Sequence, residues 1–446
     1  MSKLLKGAAV LAAATLITKI LGAVYRIPLV KYIGAEGIGI YQMVFPFYLM
    51  LLTVSSSGLP TAISKLVAEG RINSVGFKKA LTYFAVLGFF ASAVMFLLAK
   101  PLAKIQGNDY LLRCYRALAP AVMFVAIIAP FRGCFQGFKI MHPTAISQVL
   151  EQVIKVVFSL LLIKALAKTP AHGAFLACLS ISLSELLAAL FLGLLFIAKK
   201  PFKDGKSGAI SPLNDNFALK TGQSGGVKDI LKLSLPVMLC SIMMPLSRAV
   251  DGFLVVRLLS RYTNNAVKLY GLYSGGVESI IAVSTGLVAT LSTAALPIIA
   301  NGKNSGADKR LIGYAFIFSS LAALFTLLFG GFAIGLLFGG LDGWQQSTMR
   351  SLLRMACPTI IGISLMQATT TALISKDKLY FPTLSMLVGV LVKICGILLL
   401  VKNPQINIYG NAFCDILCYF VASFFNLIYI ISEQKQQKVG AVRAKA

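Results

Sequence analysis

Of 446 residues, 57% are hydrophobic and only 13% charged, against about a quarter charged in soluble proteins, so a set of soluble domains is excluded. Lys and Arg outnumber Asp and Glu by 42 to 15, a net charge of +27, yet most of these bases sit in short gaps between apolar runs. Nucleic-acid binding, which needs a basic folded domain, is therefore excluded too, and the chain reads as an all-α integral membrane protein.

Twelve segments are long enough to cross a bilayer, which takes about 20 apolar residues. They run over 7–27, 38–66, 80–103, 114–136, 146–166, 173–198, 229–258, 271–299, 311–338, 350–374, 380–401 and 407–432. The start resembles a secretory leader, with Lys3 and Lys6 before Gly7–Ile17, but Lys19 interrupts the run and the helix resumes through Gly22 and Val24, so an uncleaved first helix is expected. Thr15, Lys19, Gly22 and Arg26 share one face of that helix, with Lys19 and Arg26 two turns apart, roughly 10 Å along the axis. The second segment carries Gln42, Pro46, Thr53, Ser57, Pro60 and Ser64. It is longer than a span needs, as are the seventh and eighth, and Pro46, Pro60, Pro236, Pro245 and Pro297 supply breaking points.

Arg132 closes the fourth segment, and a short basic turn through His142 and Pro143 leads into the fifth. There Thr144, Gln148, Glu151, Gln152, Lys155 and Ser159 recur at helical spacing as one polar face. The turn makes the two helices antiparallel neighbours, so Arg132 and Glu151 are expected to form a structural salt bridge. Residues 199–228, with Lys199, Lys200, Lys203 and Lys206 among glycines and serines, read as a cytoplasmic linker between six-helix lobes at 1–198 and 229–432. Ser241, Arg248 and Asp251 mark the seventh helix, and Ser274, Glu278, Thr285 and Ser292 the eighth. Residues 433–446 form a basic tail, and Lys and Arg are nearly twice as frequent on the tail's side of the membrane, which places both termini in the cytoplasm.

Serines and threonines in such helices are accounted for by close helix packing. Charged groups at membrane depth are not, because each must face protein or a water-filled cavity. Lys19, Arg26, Arg248, Asp251 and Glu278, together with Gln42, are therefore the candidate lining of a central cavity, with snorkelling to an interface the competing reading for Arg26. The stripe on the fifth helix and Glu185, Lys393 and Asp415 read as buried structural pairs. Of eight cysteines most lie in apolar segments, and Cys414 and Cys418 are too far apart for a C-x-x-C site. His142 and His172 stand in separate gaps. With no nucleophile–histidine pair and no phosphate-binding glycine loop, neither an enzyme nor a metal or cofactor site is expected.

The halves repeat one another. ITKILGAVYRIPLVKY (17–32) matches LSRAVDGFLVVRLLSRY (246–262), and in both a hydroxyl residue precedes a base and a basic–Tyr pair closes the helix. GIGIYQ then leads toward Leu59–Pro60, as YGLYSG leads toward Leu296–Pro297. Six spans per half is an even number, so the halves are related by an axis along the membrane normal, with a substrate site between them.

The run R-G-x-F-Q-G from Arg132, followed by P-x-x-I-S-Q-x-x-E-Q from Pro143 and preceded by LGAVYRIPL at 21–29, resembles the stage V sporulation protein B and oligosaccharide-flippase families. Their superfamily also holds the multidrug (MATE) exporters and lipid II flippases. The resemblance implies a MATE-like fold and alternating-access transport of a lipid-linked oligosaccharide or peptidoglycan precursor across the bacterial cytoplasmic membrane, with or without a coupling ion. Lys19, Arg26 and Arg248 would then meet the substrate's diphosphate, while Asp251 and Glu278 either couple to a cation, return the empty cavity or pair with the bases. Two features depart from lipid II flippases: twelve helices in place of fourteen, and Phe47, Tyr48, Leu49 and Met50 where those proteins place arginines. The alternatives are a MATE-type cation-coupled drug exporter, which wants a carboxylate that the first helix lacks, and a non-transporting membrane scaffold in cell-wall or spore assembly.

Overall fold

Gly34 sets the course of the first helix. In the computed structural model, which describes residues 3–53, 58–202, 227–286, 307–376, 378 and 380–443, α1 runs unbroken over Lys3–Thr53 except for a kink at that glycine. Its φ of 63° belongs to the left-handed region that a Cβ disfavours. The connection expected between the first two spans is thus one residue: Pro28 and its neighbours stay helical, and the spans are the two arms of α1. Of the second expected span, α1 carries residues 38–53 and α2 (Leu59–Ala68) the end, with Pro60 in the first turn of α2 where its missing N–H costs nothing, and residues 54–57 lie outside those described.

The first compact unit, Met1–Ala249, continues through α3 (Ser74–Gln106), α4 (Tyr110–Gly137), α5 (His142–Leu166) and α6 (Pro170–Lys199). Asn73 caps α3 by accepting from the Gly76 amide at 2.8 Å, and Thr169 caps α6 by accepting from His172 at 3.2 Å. α4 is the hub, packing against α1, α2, α3, α5 and α6. Its alanines, Phe131 and Phe135 bury among Phe77, Phe84 and the α2 side chains Ile63 and Leu66. α3 instead turns Phe89, Phe90 and Leu97 outward, as a helix facing lipid does.

α7 (Val227–Leu259) crosses from the first unit to the second, Val250–Ala446. Of the expected linker, residues 203–226 lie outside those described. A short α8 (Ala266–Tyr270) passes into a wholly buried π-helical turn, Gly271–Val277, and the chain stays helical to residue 286. The remainder of the eighth expected span, with Ser292 and Pro297, is outside the described residues, as is Ser57. The unit continues with α9 (Ala307–Leu337), α10 (Gly343–Ala356), α11 (Pro358–Ile374), α12 (Tyr380–Leu400) and α13 (Tyr409–Arg443). α10 and α11 meet at a 45° bend at Cys357, because Pro358 cannot extend the hydrogen-bond ladder. α13 packs against α10, α11 and α12.

Eight described helices are long and apolar enough to span a bilayer, nine when the bent α10–α11 pair counts as one span. All regular structure among the described residues is helical. The chain is a multi-pass membrane protein.

Candidate functional site

Each unit buries a set of charged and hydroxyl groups among its own helices. In the first, four helices contribute. Tyr48 on α1 donates to Glu185 Oε1 on α6 at 2.9 Å, and Tyr25 shares a 2.5 Å hydrogen bond with Ser159 on α5. Arg132 on α4 lies 3.0 Å from Glu151 Oε2 on α5 and donates through Nε to Ser147 Oγ at 3.1 Å. Glu185, almost wholly buried, sits within electrostatic reach of Glu151, Arg132 and Lys155, and Lys155 within reach of Arg26. The polar stripe of α5 therefore faces protein. Gln152 turns toward α1, where a Cβ added at Gly22 would stand 3.8 Å from its Oε1.

The second unit concentrates its charges more tightly. Lys393 on α12 has no solvent-exposed side-chain surface, and its Nζ lies 2.7 Å from Asp251 Oδ2 on α7 and 2.5 Å from Asp415 Oδ1 on α13. Tyr273, in the π-helical turn, donates to the other oxygen of Asp415 at 2.6 Å. Glu278, one turn further on, brings a third carboxylate: oxygens of Asp251, Glu278 and Asp415 all lie within 4.8 Å of one another. Such an oxygen-only set suits a hard cation by donor chemistry.

The candidate residues thus have different settings. Gln42 is buried, and Arg26 and Arg248 are half-buried on α1 and α7. Asp251 is 2% exposed and held by Lys393, so it sits in a buried ionic cluster with Glu278 nearby. The side chain of Lys19 lies outside the described residues. Hydroxyls of the stripes mostly return to their own helix, as Thr15 to the Leu11 carbonyl at 2.9 Å and Thr53 to that of Leu49 at 2.7 Å, which satisfies them without a ligand.

Sequence reasoning missed the tyrosines. Tyr25, Tyr48 and Tyr273 supply the hydroxyls of these networks, yet an aromatic residue in an apolar helix carries no local mark of a buried partner. One signal was present. Ser147 and Lys155 on α5 correspond to Ser385 and Lys393 on α12, the lysine following the serine by eight residues in both halves, and a Pro–Thr pair precedes each serine, four residues before Ser147 at Pro143 and three before Ser385 at Pro382. The fifth helix of each half so carries a lysine at one repeated place, half-buried at Lys155 and fully buried at Lys393.

A family model described as polysaccharide biosynthesis protein matches residues 4–303. Stage V sporulation protein B of Bacillus subtilis (strain 168) is 29% identical over 426 residues, covering 92% of this chain and 80% of that protein. The lipid II flippase MurJ of the same organism is 24% identical over 461 residues, covering 96% and 82%. Among solved structures, an inward-facing multidrug resistance MATE family transporter of the MOP superfamily matches with a TM-score of 0.75 over 96% of each chain at 14% identity. The fold is MATE-like.

Proposed function

Because the chain belongs to the polysaccharide biosynthesis protein family, we propose that it is an alternating-access flippase for a lipid-linked oligosaccharide or peptidoglycan precursor in the bacterial cytoplasmic membrane. The observation that carries this reading is the similarity, along 96% of the chain, to a protein whose name states that it flips lipid II. The residues fit an anionic cargo. The first expected span, 7–27, offers Lys19 and Arg26 and no carboxylate, and the matching place in the repeat offers Arg248. Basic groups in a low-dielectric cavity attract a diphosphate strongly, through charge and through directed N–H donors. Gln42 is the neutral donor of the same candidate set. In this reading lobes 1–198 and 229–432, joined by a cytoplasmic linker at 199–228, rock about the substrate with both termini in the cytoplasm, and the protein acts as a transporter rather than an enzyme.

A second reading, a MATE-type cation-coupled exporter, draws on the three carboxylates of Asp251, Glu278 and Asp415. Reconstituted liposomes separate the two. Movement of a fluorescent lipid-linked sugar between leaflets, measured with and without a membrane potential or sodium gradient, is expected of the flippase. Efflux of cationic dyes with no lipid movement would establish the exporter. Movement of neither, from correctly inserted protein, would leave a scaffold role.

A further inference from the structure

Three carboxylates drawn within 4.8 Å of one another at membrane depth stay ionised only beside a cation. Lys393 already stands in that place. Its ammonium has exchanged its water for carboxylate oxygens at 2.7 and 2.5 Å, contributed by two different helices. An ammonium is a compact monovalent point charge, and here it is coordinated as an alkali ion would be. The surroundings are built to hold it: Tyr273 fixes the far oxygen of Asp415, and both aspartates are at most 2% exposed. Among the described residues, Asp251 Oδ1 is buried without a hydrogen-bond partner, so the aspartate presents an oxygen that the lysine does not use. The repeat supplies an independent argument. Lys155 stands at the matching place on α5, within electrostatic reach of Glu151 and Glu185, so a lysine facing carboxylates is a feature of both halves.

We propose that Lys393 is a tethered replacement for a bound alkali cation. The carboxylate site of the second unit is filled by the chain's own side chain, so the natural protein takes up neither Na+ nor K+ there, and removal of the ammonium opens a site for one. The consequence is a fixed positive charge where a coupling ion would otherwise come and go. This inference concerns ion occupancy and does not depend on the identity of the cargo.

The test is thermal unfolding of purified full-length protein in NaCl, KCl and choline chloride at equal ionic strength. The natural protein is expected to melt at one temperature in all three salts. K393A and K393Q are expected to melt lower in choline chloride and to recover, saturably, with Na+ or K+, because a ligand bound only by the native state stabilises it. Adding D251N to either variant should abolish the recovery. Variants that survive purification only when Na+ or K+ is present also support the proposal. It is overturned if both variants are indifferent to the salt or fail to fold in every salt, which would mark a purely structural ion pair. It is equally overturned if the natural protein is stabilised by Na+ or K+ and D251N removes that response.

Discussion

Tyr48 of α1 donates its hydroxyl hydrogen to Glu185 of α6 at 2.9 Å, joining helices 137 positions apart in the chain. The second unit has a similar join between Tyr273 and Asp415, at 2.6 Å. In each, a tyrosine from the second span of its half meets a carboxylate from the sixth. Both residues of the first pair are buried, so deleting the hydroxyl leaves an acceptor with one donor fewer and no water to replace it. Y48F is expected to destabilise the protein by about 1–3 kcal/mol. A melting temperature equal to that of the natural protein would show the bond to be dispensable.

The Arg132–Glu151 pair ties α4 to α5, with side chains 13% and 16% exposed. Removing one partner strands the other charge at a cost of about 3–5 kcal/mol, whereas removing both spares that penalty. R132A and E151A should therefore each lower stability by about 3–5 kcal/mol, and the double variant should lower it by less than the sum of the two. A double-mutant cycle checks this, with a coupling energy of about 0.5–3 kcal/mol expected for residues in contact. Strict additivity would mean that the contact contributes nothing.

Lys19 and Arg26 carry the proposed contact with the substrate's phosphates. Alanine at both positions should reduce lipid flipping in liposomes at least tenfold, since a charge-assisted hydrogen bond of about 1.5–3 kcal/mol is lost at each. Expression, membrane insertion and thermal stability should be unchanged. Normal flipping by the double variant refutes the assignment, and a loss of stability of matching size shows the residues to be structural.

Two glycines give opposite expectations. At Gly133 on α4 an added Cβ would fall 2.8 Å from the Pro60 carbonyl oxygen and 2.9 Å from Ile63 Cβ, so α2 would have to move. G133A is expected to cost about 1–3 kcal/mol as overpacking. Gly193 on α6 has nothing within 4 Å of the same atom among the described residues, and G193A should be neutral or stabilise by up to about 1 kcal/mol through helix propensity. Melting temperatures of the two variants, measured side by side, settle the pair, and equal shifts would contradict the packing described.

Hydropathy by itself determined that this chain crosses a membrane repeatedly as helices, because lipid leaves the backbone no partner but its own carbonyls. It also marked which residues must face protein or a water-filled cavity, since Glu151, Lys155, Glu185, Asp251, Lys393 and Asp415 each interrupt an apolar run. The approach of Arg132 to Glu151 was legible because one short turn separates their helices. The other partners were decided by tertiary structure alone. Asp251 shares a helix face with Arg248 in the sequence, yet it meets Lys393 142 residues away, and Tyr273 reaches Asp415 across the same interval. Helical periodicity states which way a side chain points around its own axis. Which helix stands opposite, and at what height, follows from how small residues such as Gly133 and Gly389 let neighbouring backbones approach, a property of the packed whole.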